Sequence, residues 1–304
     1  MSVYLTLHTG TIPNSWSNPN VWVVPGPDPQ GQPGSPQANQ DNWCWANVVN
    51  AGTDGAQVTV QWYWCKFNAQ TAYWKDVLAN DAGFTSFPLN GGGTARVYSN
   101  APWRPTTTGH TCIVAVASAP TDSFSPNPND PFDPNDRHVA QQNITVVSLG
   151  NNLSVVEQEF ALFPSPNEST VRVQRVEIAL LAPNLYSLGL THVPAEMEQI
   201  DPPTLKYSGE AGSKRKKQAG STITVGANEE HELTLTIEPP AKVTPGSGAL
   251  FNIDTIENSQ LVGGASVLLL APFGGTSQTE SSTTAGRTSA RKKKSGGSKK
   301  RTSR

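Results

Sequence analysis

Hydrophobic and polar residues alternate along much of the chain with a period of two. Val58, Val60, Trp62 and Trp64 fall on one side of Gln57–Phe67, and Thr59, Gln61, Tyr63 and Cys65 on the other. The stretch before it, Trp43–Asn50, has the same strand character, and Ala51–Ala56 between them is a Gly/Asp turn. His110–Ser118 is too apolar for an exposed strand and reads as a central one. His138–Val147 reads as one further strand, and Trp74–Thr94 as irregular. Beyond Gly150-Asn-Asn152 a second set follows: Leu153–Phe163, Val171–Leu181, Ser221–Val225, Glu232–Ile237, Ala249–Glu257 and Gly264–Leu270. Glu232–Ile237 alternates cleanly, with Leu233, Leu235 and Ile237 facing inward.

Composition agrees with many short strands. Gly and Pro together make 51 of 304 residues, and only two Met are present. That balance favours strands joined by turns over helices. The fold class expected is all-β: two Ig-like antiparallel β-sandwiches with a disordered basic C-terminal tail. The domains expected are 1–150 with a Pro-rich N-terminal loop, 151–275, and the tail 276–304. No apolar run of membrane-spanning length occurs, and the first ten residues carry no secretory pattern. The expectation is a cytoplasmic protein or one exported by a non-classical route.

Charge separates the tail from the body. Residues 276–304 hold nine Lys or Arg against Glu280, a net +8; the remaining chain has 13 bases and 23 acids, a net −10. Within the tail the basic residues include Arg291, Lys292, Lys293, Lys294, Lys299, Lys300 and Arg301. A second basic run, Lys214, Arg215, Lys216 and Lys217, sits in a Gly/Ser/Ala-rich hairpin loop. Both are candidate contacts for nucleic acid or another polyanion, acting by counterion release. No aromatic residue is interleaved in the tail, so it encodes no base stacking. The other reading of the tail is a disordered solubilising segment.

Three family resemblances occur along the chain. Trp45-Ala-Asn-Val-Val-Asn-Ala-Gly-Thr53 followed by Ala56–Trp64, with His110–Val116 and Asp136–Val146 later, resembles the bacterial immunoglobulin-like module of the CARDB type, the cell-adhesion-related domain of bacteria. Residues Glu229–Ile237, Pro245-Gly246 and Val262-Gly-Gly264 resemble a second Ig-like or fibronectin-like module. The resemblance implies sandwiches that act as spacers, adhesive surfaces or appendages, and leaves the function open. Gln40-Asp-Asn-Trp-Cys-Trp-Ala46 instead resembles the nucleophile segment of papain-like peptidases. That resemblance implies Cys44 as nucleophile, His110 as base, Gln40 as oxyanion donor, and Asn129 or Asn143 orienting the imidazole. The Asn-Ala-Gly-Thr-Asp-Gly sequence soon after Cys44 argues against the helix this chemistry requires.

Three cysteines make no disulfide framework; buried thiols are expected, with a Cys44–Cys112 bridge as the alternative. The Asp/Asn/Pro-rich loop from Asp122 to Asp136 has no EF-hand spacing and reads as Asx turns. Trp62 and Trp64 are assigned to the core, while Trp43 and Trp45 are either core or an exposed aromatic platform. No catalytic residue, metal or cofactor is assigned. The reading reached is a non-enzymatic structural or binding protein, whose partner is another protein or itself in an assembly. Association with nucleic acid or an anionic surface is the first alternative, and papain-like peptidase activity the second.

Overall fold

The computed structural model describes residues 2–272, apart from 11, 13, 67, 71, 72, 107–110, 150–153, 208–218 and 229. The predicted disordered tail, the Lys214–Lys217 run and His110 lie outside the described residues. In chain order the strands of the first half are β1 (Leu5–Thr6), β2 (Val21–Pro25), β3 (Asn42–Asn50), β4 (Ala56–Lys66), β5 (Asn68–Gln70), β6 (Asp81–Leu89), β7 (Thr94–Tyr98), β8 (Thr111–Ser118) and β9 (Val139–Gln142). Then follow β10 (Ile144–Ser148), β11 (Val156–Leu162), β12 (Ser169–Val176), β13 (Ala195–Glu196), β14 (Thr204–Tyr207), β15 (Ala219–Gly220), β16 (Thr222–Val225), β17 (His231–Ile237), β18 (Ser247–Glu257) and β19 (Gln260–Leu270). One helical turn, α1 (Lys75–Leu78), and a 3-10 helix over Ile178–Asn184 complete the elements.

These strands form two sandwiches. In the first, β3 pairs antiparallel with β1, β2 and β7, and this sheet faces one ordered β6-β4-β8-β9. The core between them holds Leu5, Leu7, Val21, Cys44, Ala46 and Val48 on one side and Val58, Val60, Trp62, Ile113 and Ala115 on the other. In the second, a sheet ordered β15-β14-β17-β11-β5 faces one ordered β10-β19-β18-β12-β16, with β13 added to β18. Its core brings Phe160, Leu205, Leu233 and Leu235 against Val171, Phe251, Ile253 and Val267. Burying large apolar side chains on facing sheets is what holds such a fold, at roughly 1.5–3 kcal/mol each. The all-β sandwich expectation is met, and His110–Ser118 does hold a central strand, β8.

Several details differ from the sequence reading. The sheets are not wholly antiparallel: β10 on β19, β5 on β11 and β13 on β18 are parallel. The expected single strand His138–Val147 is two strands broken at Asn143; β9 ends the first sandwich and β10 enters the second. β5, lying just past β4, likewise crosses into the second sandwich. Trp74–Thr94 is not irregular but holds α1 and β6, an edge strand paired with β4. Val171–Leu181 runs as β12 only to Val176 before the 3-10 helix. With these crossings, the described residues of Met1–Phe273 form one compact unit.

Candidate functional site

The crossings create a polar seam between the sandwiches. At Asn143 the backbone N–H donates to Trp16 O at 2.8 Å, and Nδ2 donates to Gly264 O at 2.9 Å. Trp16 is buried, and its indole N–H reaches Ser266 Oγ at 3.3 Å. Asn184 Nδ2 donates to Ser17 O at 3.1 Å, and Gln142 Nε2 to Ser187 Oγ at 3.2 Å. Buried hydrogen bonds of this kind fix one register of packing, since breaking any of them would leave a buried polar group unpaired. The N-terminal segment thus acts as a rivet through both halves.

Beside the seam, the outer face of the β2–β3–β7 sheet carries an aromatic and arginine cluster. Period-two alternation puts Trp43 and Trp45 of β3 on the side opposite Cys44, and β2 and β7 add Trp22 and Tyr98. Trp22 stacks on Trp45 with centroids 5.7 Å apart and planes 12° apart. Tyr98 packs on Trp45 at 4.7 Å and on Trp43 at 5.8 Å. Tyr186, from beyond the 3-10 helix of the second half, meets Trp22 edge-on at 5.4 Å. The Arg96 guanidinium lies 5.3 Å from the Trp22 ring and 4.8 Å from the Tyr186 ring, close enough for cation–π attraction to both.

The Pro-rich loop after β2 folds back over part of this face. Trp43 Nε1 donates to Gly26 O at 3.2 Å, Trp45 Nε1 to Pro29 O at 3.0 Å, and Gly34 N to Val23 O at 3.0 Å. At Gly189 a Cβ would stand 2.2 Å from Pro33 O, so this loop nests against the segment that carries Tyr186. Trp22 and Trp45 are consequently buried. What remains open is Arg96, Tyr186 at 51% exposure, and the half-buried Trp43 and Tyr98. Of the two tryptophans proposed as a platform, Trp45 is therefore buried and Trp43 is at the rim. Trp62 and Trp64 do pack with the first core. Sequence alternation in Thr94-Ala-Arg-Val-Tyr98 puts Arg96 and Tyr98 on one face of β7, the local signal for these two residues. Nothing local to Tyr186 announces its place.

The peptidase constellation is not assembled among the described residues. Cys44 lies in the middle of a strand, wholly buried, and burial followed by the Asp81 charge pushes its thiol up to about 12. A nucleophilic cysteine needs the opposite shift. Asn143 is committed to the seam, Asn129 is exposed in its loop, and Gln40 is exposed in a turn. The three cysteines are buried thiols. A Cys44–Cys112 bridge is excluded: Cys44 faces the core between the sheets, while Cys112 faces outward under α1. The residue opposite Cys112 is Cys65.

The Asp122–Asp136 loop proves to be structural. Asn129 N donates to Asn127 Oδ1 at 3.1 Å and Asn135 N to Asp133 Oδ1 at 2.9 Å, both Asx turns. Asp122 accepts two hydrogen bonds from Arg137, at 2.8 and 2.6 Å, and one from the Leu5 N–H at 2.6 Å. Arg137 also donates to Leu5 O and lies 4.1 Å from the Tyr4 ring centre. The arginine hydrogen bond, opposed by burial and aided by the Leu5 bond, holds the Asp122 carboxyl well below its ordinary value. No group of three or more metal-ligating side chains occurs among the described residues, and no described helix is long and apolar enough to cross a membrane. Of the candidate anion contacts, Lys214, Arg215, Lys216, Lys217, Arg291, Lys292, Lys293, Lys294, Lys299, Lys300 and Arg301 all lie outside the described residues.

No family model matches the chain, and no curated protein matches it. Solved structures similar to it include the CupB6 tip adhesin from Pseudomonas aeruginosa, at 10% identity over 84% of this chain and 98% of that one, with a TM-score of 0.24. The collagen adhesin of S. aureus is 7% identical over 84% of this chain and 94% of that one, with a TM-score of 0.24. A multicopper oxidase is 8% identical over 75% of each chain, with a TM-score of 0.23. Adhesins and an enzyme thus score alike, and likenesses of this size carry no argument about activity.

Proposed function

We propose that this chain is a non-enzymatic structural or binding protein whose sandwiches make a protein–protein contact within an assembly. The observation that carries the reading is the Arg96–Tyr186–Trp43–Tyr98 patch. It combines the residue types that dominate binding energy at protein interfaces, and it draws on both sandwiches across a seam that holds them in one register. Rigid aromatic anchors lose little conformational entropy on binding, which suits such a patch to contact. The resemblance of 45–64, 110–116 and 136–146 to CARDB modules fits this role. Replacing Arg96 and Tyr186 together by alanine, with folding checked by thermal unfolding, is expected to weaken attachment to the assembly about tenfold or more. Attachment unchanged in that variant would contradict the reading.

A second reading has its own support in the charge distribution. The +8 of residues 276–304, joined by Lys214–Lys217, gives an acidic body two basic segments. We propose that these add a salt-sensitive contact with nucleic acid or another polyanion, one that reads no sequence.

A further inference from the structure

Cys65 and Cys112 are register partners in the antiparallel β4–β8 ladder. The N–H of Trp64 donates to Asn80 O, on the β6 side of β4. Backbone groups alternate sides along a strand, so those of Cys65 point toward β8. The two cysteines therefore form a mutually hydrogen-bonded pair, for which the Cα separation is about 5.5 Å. That lies inside the roughly 4.4–6.8 Å window of disulfides. Both side chains project from the same face, into one cluster with Trp74, Val77 and Phe132. Cys65 Sγ lies 4.0 Å from Cys112 O, and Gln141 Nε2 donates to Cys112 Sγ at 3.0 Å. Burial and then the neighbouring Cys65 push the Cys112 thiol up.

We propose that Cys65 and Cys112 are a disulfide-forming pair, a modification site independent of the contact patch. The oxidant is a disulfide of the glutathione class or a disulfide-exchange protein. One cysteine thiolate attacks the oxidant's S–S bond, forming a mixed disulfide and releasing one thiolate. The second cysteine, deprotonated in turn, attacks the protein sulfur of that bond, closing Cys65–Cys112 and releasing the second thiolate. Two protein thiols are oxidised and one external disulfide is reduced to two thiols. Both residues are buried, so closure proceeds during folding or through fraying, and each cysteine stands one residue from a strand end.

The placement gives the bridge a structural consequence. Cys65 lies near the end of β4, close before β5, which leaves the first sandwich to pair with β11. Tying Cys65 to Cys112 anchors the root of that crossing to the central strand of the first sandwich. Cys44, in the core between the two sheets, takes no part.

The full chain, unfolded with its thiols reduced, can be refolded in a buffer of reduced and oxidised glutathione, alkylated and mapped by mass spectrometry. The expected map shows a Cys65–Cys112 linked peptide, with Cys44 alkylated only after denaturation. The bridged protein should melt on the order of 5 °C higher than the reduced one. The Cys44→Ser variant should form the same bridge, and Cys65→Ser should leave Cys112 alkylatable. Refolded native protein in which both Cys65 and Cys112 remain alkylatable, or a bridge that includes Cys44, would overturn the proposal. The map of the unsubstituted chain decides the matter even if a variant fails to fold.

Discussion

The indole of Trp16 fills the space where Gly264 would carry a side chain: a Cβ there would stand 2.6 Å from the ring atoms. These residues lie at opposite ends of the chain, and their contact closes the seam between the sandwiches. Trp16 is also held by Ser266 and, through its backbone oxygen, by Asn143, so it cannot swing aside freely. Gly264→Ala is expected to cost about 1–3 kcal/mol by overpacking, and Trp16→Ala about 3–5 kcal/mol by cavity formation. Urea unfolding of the two variants measures both. A neutral Gly264→Ala would show that the indole does not pack there.

Acid should weaken the latch at Asp122. Its carboxyl is held below 3.8 in the folded chain, chiefly by Arg137. A carboxyl depressed by folding contributes stability that is present above its unfolded value and is lost as pH falls through the folded value. Asp122→Asn should therefore be less stable than the parent by about 1–3 kcal/mol at pH 7. That gap should stay level down to about pH 5 and narrow below about pH 4. Denaturant titrations of both proteins across this range check the sign. A gap that widens toward low pH would contradict the Arg137–Asp122 assignment.

Cys44 should be inert in the native state. With its thiol pushed up to about 12, only about one molecule in 10⁵ carries the thiolate at pH 7. Iodoacetamide at neutral pH should leave Cys44 unmodified until denaturant is added. Rapid labelling in the native state would revive a catalytic role for this residue.

The strands of this fold were legible where one face is buried and the other is not. Leu233, Leu235 and Ile237 alternate with polar residues, and all three are fully buried as expected. Where both faces are covered, the pattern loses its meaning. Cys65 sits on the nominally polar face of β4 yet is buried, because α1 and the loop bearing Phe132 lie over it. Asn143 divides two strands through contacts made by its own side chain and backbone to distant residues, so no local signal marks the break. The contact patch was half legible. Trp43 and Trp45 drew notice from the sequence, but Arg96 and Tyr186 join them only through pairing of β7 with β3 and the passage of the second half alongside. The cover over Trp45 comes from a Pro-rich loop that carries no hydrophobic pattern.

The basic tail should matter for polyanion binding and little for folding. Deleting 276–304 removes a net +8 and no predicted strand. The thermal transition of the truncated chain is expected to match the parent closely. Retention on DNA or RNA at low salt, expected in the micromolar range, should be lost on truncation and should fall steeply with added salt in the full chain. Retention that survives the deletion would sink the electrostatic reading of the tail.

The contact patch is tested most directly by photo-crosslinking in the cells that make the protein. A photoreactive phenylalanine derivative placed at Tyr98 or at Tyr186 should give discrete protein adducts on illumination. The same group at exposed Glu159 of β11, on another sheet, should give few. Adduct yields at Tyr98 and Tyr186 no higher than at Glu159 would contradict a protein–protein contact at this face.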